Sequence, residues 1–185
     1  MSTAMQRATL ADLYRTPGQA ELIGGRIVCF PPIGYKPGCI VGEIVSSLYK
    51  HEKKTGCGEV GTATLGYVVP ELPSGRESFC ADSSYYVGPL PANPMHFIEG
   101  PPTFAVEVRS ENDYTPAAEL DMAAKFIDYF AAGTLVVWDV DPVAETIASY
   151  RADAPTNPVT FRRGQTADAE PAVPGWRMPV DEIFT

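Results

Sequence analysis

The sequence predicts a mixed β-sheet with helices on its faces, an α/β or α+β core. Three observations lead there. The 185 residues suffice for one domain, 1–185, with a real hydrophobic core. The 18 prolines and 16 glycines cut the chain into short elements. Between those breaks the apolar patterns run helix, hairpin, helix, strands, helix, strands. No internal repeat interrupts that order.

Thr9 can cap a short helix over residues 10–15, which Pro17-Gly18 stops. Residues 21–30 read as a hairpin, two β-prone runs around Gly24-Gly25. Ile40, Val41, Ile44, Val45 and Leu48 recur at helical spacing, so residues 38–54 form an amphipathic helix. Its basic end, His51 to Lys54, suits a helix C-terminus. Short strands are expected around 58–61, 64–69 and 78–87. A proline-rich loop, 88–102, leads into the clearest core strand, 103–110. Thr115 and Pro116 start a helix that runs to Ala132 and stops at Gly133. Residues 135–140 are a strand closed by Asp141-Pro142, and 146–151 with 159–163 form a last antiparallel pair. The tail, 180–184, docks by its apolar residues.

A net charge of −9 is not that of a strongly basic nucleic-acid binder. Any phosphate contacts must come from local groups, with Lys36, Lys50, Lys53, Lys54, Arg76, Arg162 and Arg163 as candidates. Cys29, Cys39, Cys57 and Cys80 are spread apart and only His51 and His96 could join them, which speaks against structural zinc. Reduced, partly buried cysteines in a cytoplasm are expected. No apolar run spans a membrane, and residues 1–14 lack the apolar core of an export signal.

Four residues look expensive to place. Glu107 sits inside an apolar strand. Alternation puts Ala105, Glu107 and Arg109 on one face, with Phe104, Val106 and Val108 on the other. A buried carboxylate needs a cation or a hydrogen-bond network, so Glu107 is either a salt-bridge partner or a metal ligand. Asp82 lies where a strand bends, as a turn residue or a functional acid. Asp121, Lys125 and Tyr129 share one helical stripe, beside an apolar stripe of Leu120, Ala123, Ala124, Ile127 and Ala131. Lys125 either pairs with Asp121 in solvent or aims at the strand carboxylates. Glu21 opens a hairpin strand, either exposed or as a further acid. Together they form a chemistry. Carboxylates select Mg²⁺ or Mn²⁺, and a nearby lysine can hold an attacking water and stabilise developing charge.

Several pieces stand in a characteristic order: Glu21-Leu-Ile-Gly-Gly-Arg26, Ala81-Asp82, Phe104-Ala-Val-Glu-Val-Arg-Ser110, Asp121-x₃-Lys125-x₃-Tyr129-x₃-Gly133, Val137-Trp138-x-Val140-Asp141-Pro142, and Pro174-Gly175 with Ile183-Phe184. In this order the chain resembles the bacterial Uma family of restriction-type endonucleases, a branch of the PD-(D/E)XK nuclease superfamily. The resemblance implies a restriction-endonuclease-like core, a central mixed sheet flanked by helices. It implies Asp82 and Glu107 as metal ligands, with the Val108 carbonyl completing the shell. Lys125 becomes the catalytic lysine, supplied from the helix rather than the strand, and Glu21 an auxiliary acid. Tyr129 stands with Arg109 on the substrate side, where it orients its neighbours or packs, and Trp138 belongs to the core.

The chain departs from the family pattern at Ala81, at Ser110-Glu111-Asn112, at Pro37 and at Arg109. Arg109 occupies the place of the strand lysine in related nucleases. Arginine stays protonated and makes a poor base, so Lys125 is kept as the catalytic lysine; Arg109 either pairs with Glu107 in competition with metal or, as the expectation taken forward, clamps the scissile phosphate. The leading expectation is a Mg²⁺- or Mn²⁺-dependent endonuclease acting on DNA, with a homodimer as the superfamily's usual way to cut both strands. The alternative is a catalytically inactive nuclease fold serving as a binding or assembly module. A third reading, a hydrolase of smaller substrates, has no motif of its own.

Overall fold

A computed structural model describes residues 7–185. Residues 1–6, part of the stretch read for an export signal, lie outside the described residues. The elements run α1 (Leu10–Arg15), β1 (Ala20–Ile23), β2 (Arg26–Cys29), α2 (Tyr35–Thr55), β3 (Glu59–Thr62), β4 (Tyr67–Val68), β5 (Ser78–Phe79), β6 (Ser83–Tyr86), β7 (Ile98–Glu99) and β8 (Phe104–Val108). A short 3₁₀ turn, Glu111–Tyr114, precedes α3 (Pro116–Ala132). Then come β9 (Val136–Asp141), β10 (Thr146–Arg151), β11 (Ala154–Arg162), β12 (Thr166–Asp168), β13 (Arg177–Pro179) and α4 (Val180–Ile183).

The main sheet has six strands in the order β11-β10-β9-β8-β6-β3. It is mixed: β8 and β9 run parallel, and the other neighbours run antiparallel. Because β8 alternates, Phe104, Val106 and Val108 bury into one core layer with Ile40, Ile44 and Leu48 of α2. Trp138 and Trp176 fill the middle of that layer, 5.1 Å apart. Ala105 faces the opposite layer, against Phe126 and Tyr129 of α3. The tail closes over the α2 side, with Val180, Ile183 and Phe184 buried. Among the described residues no helix is long and apolar enough to cross a membrane.

Outside that sheet, β1 and β2 form the expected hairpin, with Ile23 opposite Arg26. Gly24 and Gly25 have φ of 58° and 70°, the left-handed pair that a two-residue type I′ turn requires. β4, β5 and β7 make a small sheet beneath the hairpin.

Several elements differ from the sequence reading. The run 78–87 is two strands, broken at Cys80-Ala81-Asp82. α2 starts at Tyr35, because Pro37 is tolerated in a first turn. β11 spans nine residues despite Pro155 and Pro158, an edge strand where a missing N–H costs nothing. The largest correction is the rotation of α3. The stripe that includes Leu120 and Ile127 was expected to pack inward, yet these two residues are 72% and 64% exposed. The helix instead buries Phe126, Asp128 and Tyr129. On that side Phe126 and Tyr129 pack into the core layer, and Asp128 and Lys125 meet their ion-pair partners.

Candidate active site

Glu21 is fully buried in β1. Its Oε1 accepts the Cys80 N–H at 3.0 Å, so the strand break at Cys80-Ala81-Asp82 clasps the carboxylate. Its Oε2 is paired with Arg76. Arg76 follows a tight turn in which Gly75 N–H donates to Leu72 O at 2.7 Å, and it forms a bridge to Ile23. The other edge of its guanidinium reaches Asp128 of α3 through Nε at 2.9 Å.

Asp82 enters from the same break. Pairing of Ser83 with Val106 sets the register of β6 against β8. One step further, that antiparallel register places Asp82 opposite Glu107. Asp82 Oδ2 accepts the Val108 N–H at 2.8 Å. Glu107 sits between α3 and the sheet. Its Oε1 takes the Lys125 ammonium at 2.9 Å and the Tyr129 hydroxyl at 2.6 Å. Lys125 Nζ also lies 3.1 Å from Glu21 Oε1, bridging the two acids. Tyr129 is held by a stack on Phe79, with centroids 4.3 Å apart.

The electrostatics follow from crowding. Burial pushes the Glu107 carboxyl up to about 7; the Lys125 charge opposes this, while Asp82 and Glu21 reinforce it. Burial likewise raises Asp82. Burial would strip the Lys125 proton, but the Glu107 and Glu21 carboxylates outweigh it and hold the ammonium well above the ordinary lysine range. Burial and the facing Glu107 keep the Tyr129 hydroxyl protonated. Among the described residues, Glu21, Asp82, Glu107 and Asp128 face only two cations, Lys125 and Arg76. A buried excess of carboxylate favours a further cation or retained protons.

The donor set fits a hard divalent ion. Among the described residues no hydrogen-bond donor reaches Asp82 Oδ1 or Glu107 Oε2, which leaves one oxygen on each acid. Oxygen ligands suit Mg²⁺ or Mn²⁺. No three His, Cys, Asp or Glu side chains among the described residues converge into a ready cage. An ion here would need backbone or water oxygens besides the two acids.

Arg109 departs from its expected part. It shares the Glu107 face, but its fork grips Asp139 at 2.7 Å through both Nε and Nη2 and pairs with Glu119. Asp139 stands beside Glu107 in the parallel register of β8 and β9. With so much of its guanidinium engaged, Arg109 ties the end of β8 to β9 and α3 instead of presenting a phosphate clamp. Arg76 is likewise withdrawn from the set of surface cations. Lys36, Lys53 and Arg163 also carry acidic partners, Glu145, Glu52 and Glu145. Tyr129 is fully buried, so it orients Glu107. The sequence reading missed Asp128 and Asp139. A faint signal existed for Asp128, one turn beyond Lys125 on the same helix side; Asp139 lay in an apolar strand, as Glu107 did.

The sequence profile of a family described as Uma2, "Putative restriction endonuclease", matches residues 8–181. A solved structure titled as a putative nuclease belonging to DUF820 from Anabaena variabilis ATCC 29413 superposes with a TM-score of 0.74 at 19% identity. That likeness covers 95% of this chain and 97% of the other, and shares the fold. Among curated proteins none matches the chain. The profile spans nearly all the described residues, including every acid of the buried cluster and its lysine, and the chain therefore belongs to the Uma2 family.

Proposed function

We propose that the protein is a Mg²⁺- or Mn²⁺-dependent DNA endonuclease hydrolysing phosphodiester bonds. The observation that carries this reading is Lys125, a charged ammonium held between two buried acids on the face that Asp82 shares. Asp82 and Glu107 would hold the ion, with the Val108 carbonyl as a further oxygen. A bound ion there would supply Lewis-acid chemistry, lowering the pKa of water and neutralising phosphate charge.

The chain's own residues do the rest. Lys125 can donate to a water beside Glu107 and to the oxygen on which charge develops. Glu107 holds Lys125 in place through Oε1, which leaves Oε2 open toward the ion. Tyr129 fixes that carboxylate. Glu21 holds Lys125 on its second side, and Arg76 balances Glu21. A donor beside the acids that would hold the ion supports attack by water at that place.

Plasmid nicking with Mg²⁺ or Mn²⁺, comparing wild type with Glu107→Ala and Lys125→Ala, tests the reading. Wild type should cut and both variants should not; cutting that survives both substitutions removes the mechanism. One observation favours the alternative, a non-catalytic binding or assembly module: most surface cations are already engaged by carboxylates. A folded wild type that cuts nothing with either metal selects that alternative.

A further inference from the structure

Beside the acidic cluster lies a cavity of about 110 Å³. Its wall includes Ala20, the chain neighbour of Glu21, and Cys80, whose N–H donates to Glu21. Tyr14 and Phe97 line it too, with Tyr14 37% exposed. Their rings sit 4.5 Å apart, and the exposed His96 ring lies 5.1 Å from Tyr14. Nothing in the hydrolytic machinery uses this aromatic corner.

The rings are fixed in place. Phe97 N–H donates to the Tyr14 hydroxyl at 3.0 Å. The Phe97 ring lies against Gly66, where an added Cβ would come within 2.8 Å of it. Tyr14 belongs to α1, whose start is closed by a capping box between Thr9 and Asp12. Rings already immobilised lose little entropy when a flat group lands on them. A closed cavity of about 150 Å³ admits a benzene ring. This smaller cavity can take the edge of one base, with Thr16 and Thr64 adding hydroxyls to its wall.

The charges indicate which strand such a base comes from. Of the 14 lysines and arginines, ten lie within ion-pair distance of a carboxylate. Arg26, Lys50, Lys54 and Arg162 remain, spread over β2, α2 and β11. A duplex binder commonly neutralises about 6–10 phosphates, and no such set is gathered on this chain. Stacking on the π-face of a base supplies about 1–3 kcal/mol, so a single strand can be held with fewer phosphate contacts than a duplex.

Resting on the nuclease reading, we propose that the DNA is unpaired where it is cut, with one base stacked on Tyr14 and Phe97 and edged into the cavity beside Glu21. Fluorescence anisotropy tests this with a labelled single strand of about 12 nucleotides, within the span of one such groove, and with the same sequence as duplex. The Glu107→Gln protein serves for binding, so that cleavage does not intrude. The single strand should bind more tightly than the duplex. Its plot of log affinity against log salt should have a slope shallower than about −3, four contacts at most. Tyr14→Ala should weaken strand binding by about 5- to 150-fold, while Tyr14→Phe, which keeps the ring but loses the bond from Phe97, should weaken it less. A duplex bound as well as the strand, a slope of about −5 or steeper, an indifferent Tyr14→Ala, or no strand binding overturns the proposal. Wild type with Mn²⁺ separates the two readings. Cutting of duplex but not of strand overturns this inference and leaves the nuclease standing. Tyr14-dependent strand binding without cleavage supports the stacking site and removes the nuclease.

Discussion

Glu107→Gln should make the protein more heat-stable at pH 8 while abolishing hydrolysis. In the native state the Glu107 carboxyl is pushed from its ordinary 4.5 up to about 7, first by burial. Between about pH 4.5 and 7 the native protein therefore keeps a proton that the unfolded chain releases. The contribution of Glu107 to stability is fully present below about 4.5 and is lost as pH rises through about 7. Each pKa unit is worth about 1.36 kcal/mol, so ionising Glu107 in place costs up to about 3 kcal/mol. Glutamine never ionises. Its Oε1 can still accept from Tyr129 and Lys125, which approach Glu107 at 2.6 and 2.9 Å. Against this gain, Lys125 loses one of its two carboxylate partners and keeps Glu21 at 3.1 Å. A net gain of about 1–2 kcal/mol remains, which for a domain of this size raises Tm by about 2–8 °C. Thermal unfolding in EDTA by circular dichroism, at pH 8 and pH 4.5, measures it. The gain should shrink at the acid pH, where wild-type Glu107 is protonated as well. A variant less stable than wild type at pH 8, or an equal gain at both pH values, would refute the reasoning.

Tyr129→Phe removes the hydroxyl that favours ionised Glu107, so the acid limb of the pH–rate profile should move to higher pH while KM stays the same; an unmoved limb would show that Tyr129 only packs. Arg76→Ala leaves Glu21 and Asp128 buried without their shared cation, and urea denaturation should show a loss of about 3–5 kcal/mol; a loss under about 1 kcal/mol would show that the cluster does not depend on it. Arg109→Lys breaks the two-point grip on Asp139 and should cost about 1–2 kcal/mol of stability with unchanged DNA affinity; weakened DNA binding at wild-type stability would restore the phosphate clamp.

Much of this architecture was legible because its signals are local. Gly24-Gly25 between β-prone runs specifies a hairpin, and Thr115-Pro116 with Gly133 marks both ends of α3. Ile40, Ile44 and Leu48 mark the face of α2 that is buried. Glu107 was conspicuous because a carboxylate in an apolar strand demands a partner. The rotation of α3 was not legible, since the stripe of Leu120 and Ile127 is the more apolar one and helical spacing alone does not show that the neighbouring stripe, with Phe126 and Tyr129, is the one that packs. Arg76 resembled any loop arginine; only the fold carries it between Glu21 and Asp128, 55 and 52 residues away. Arg109 shows the reverse: strand alternation placed its side chain correctly on the Glu107 face, but that rule is silent about Asp139 on the next strand.

The sequence by itself determined the order of elements, the mixed sheet with helices on its faces, the family, and Glu21, Asp82, Glu107 and Lys125 as residues costly to place. These depend on short-range periodicity, on turn residues and on the penalty for burying charge. Tertiary structure decided which cation meets which acid: Lys125 with Glu21 and Glu107, Arg76 with Glu21 and Asp128, Arg109 with Asp139 and Glu119. It also decided that the rings of Tyr14 and Phe97 pack together in the wall of one cavity with Ala20 and Cys80. Pairing energies fall off within a few ångströms, while the partners are separated by tens of residues, so only the folded chain brings them within range.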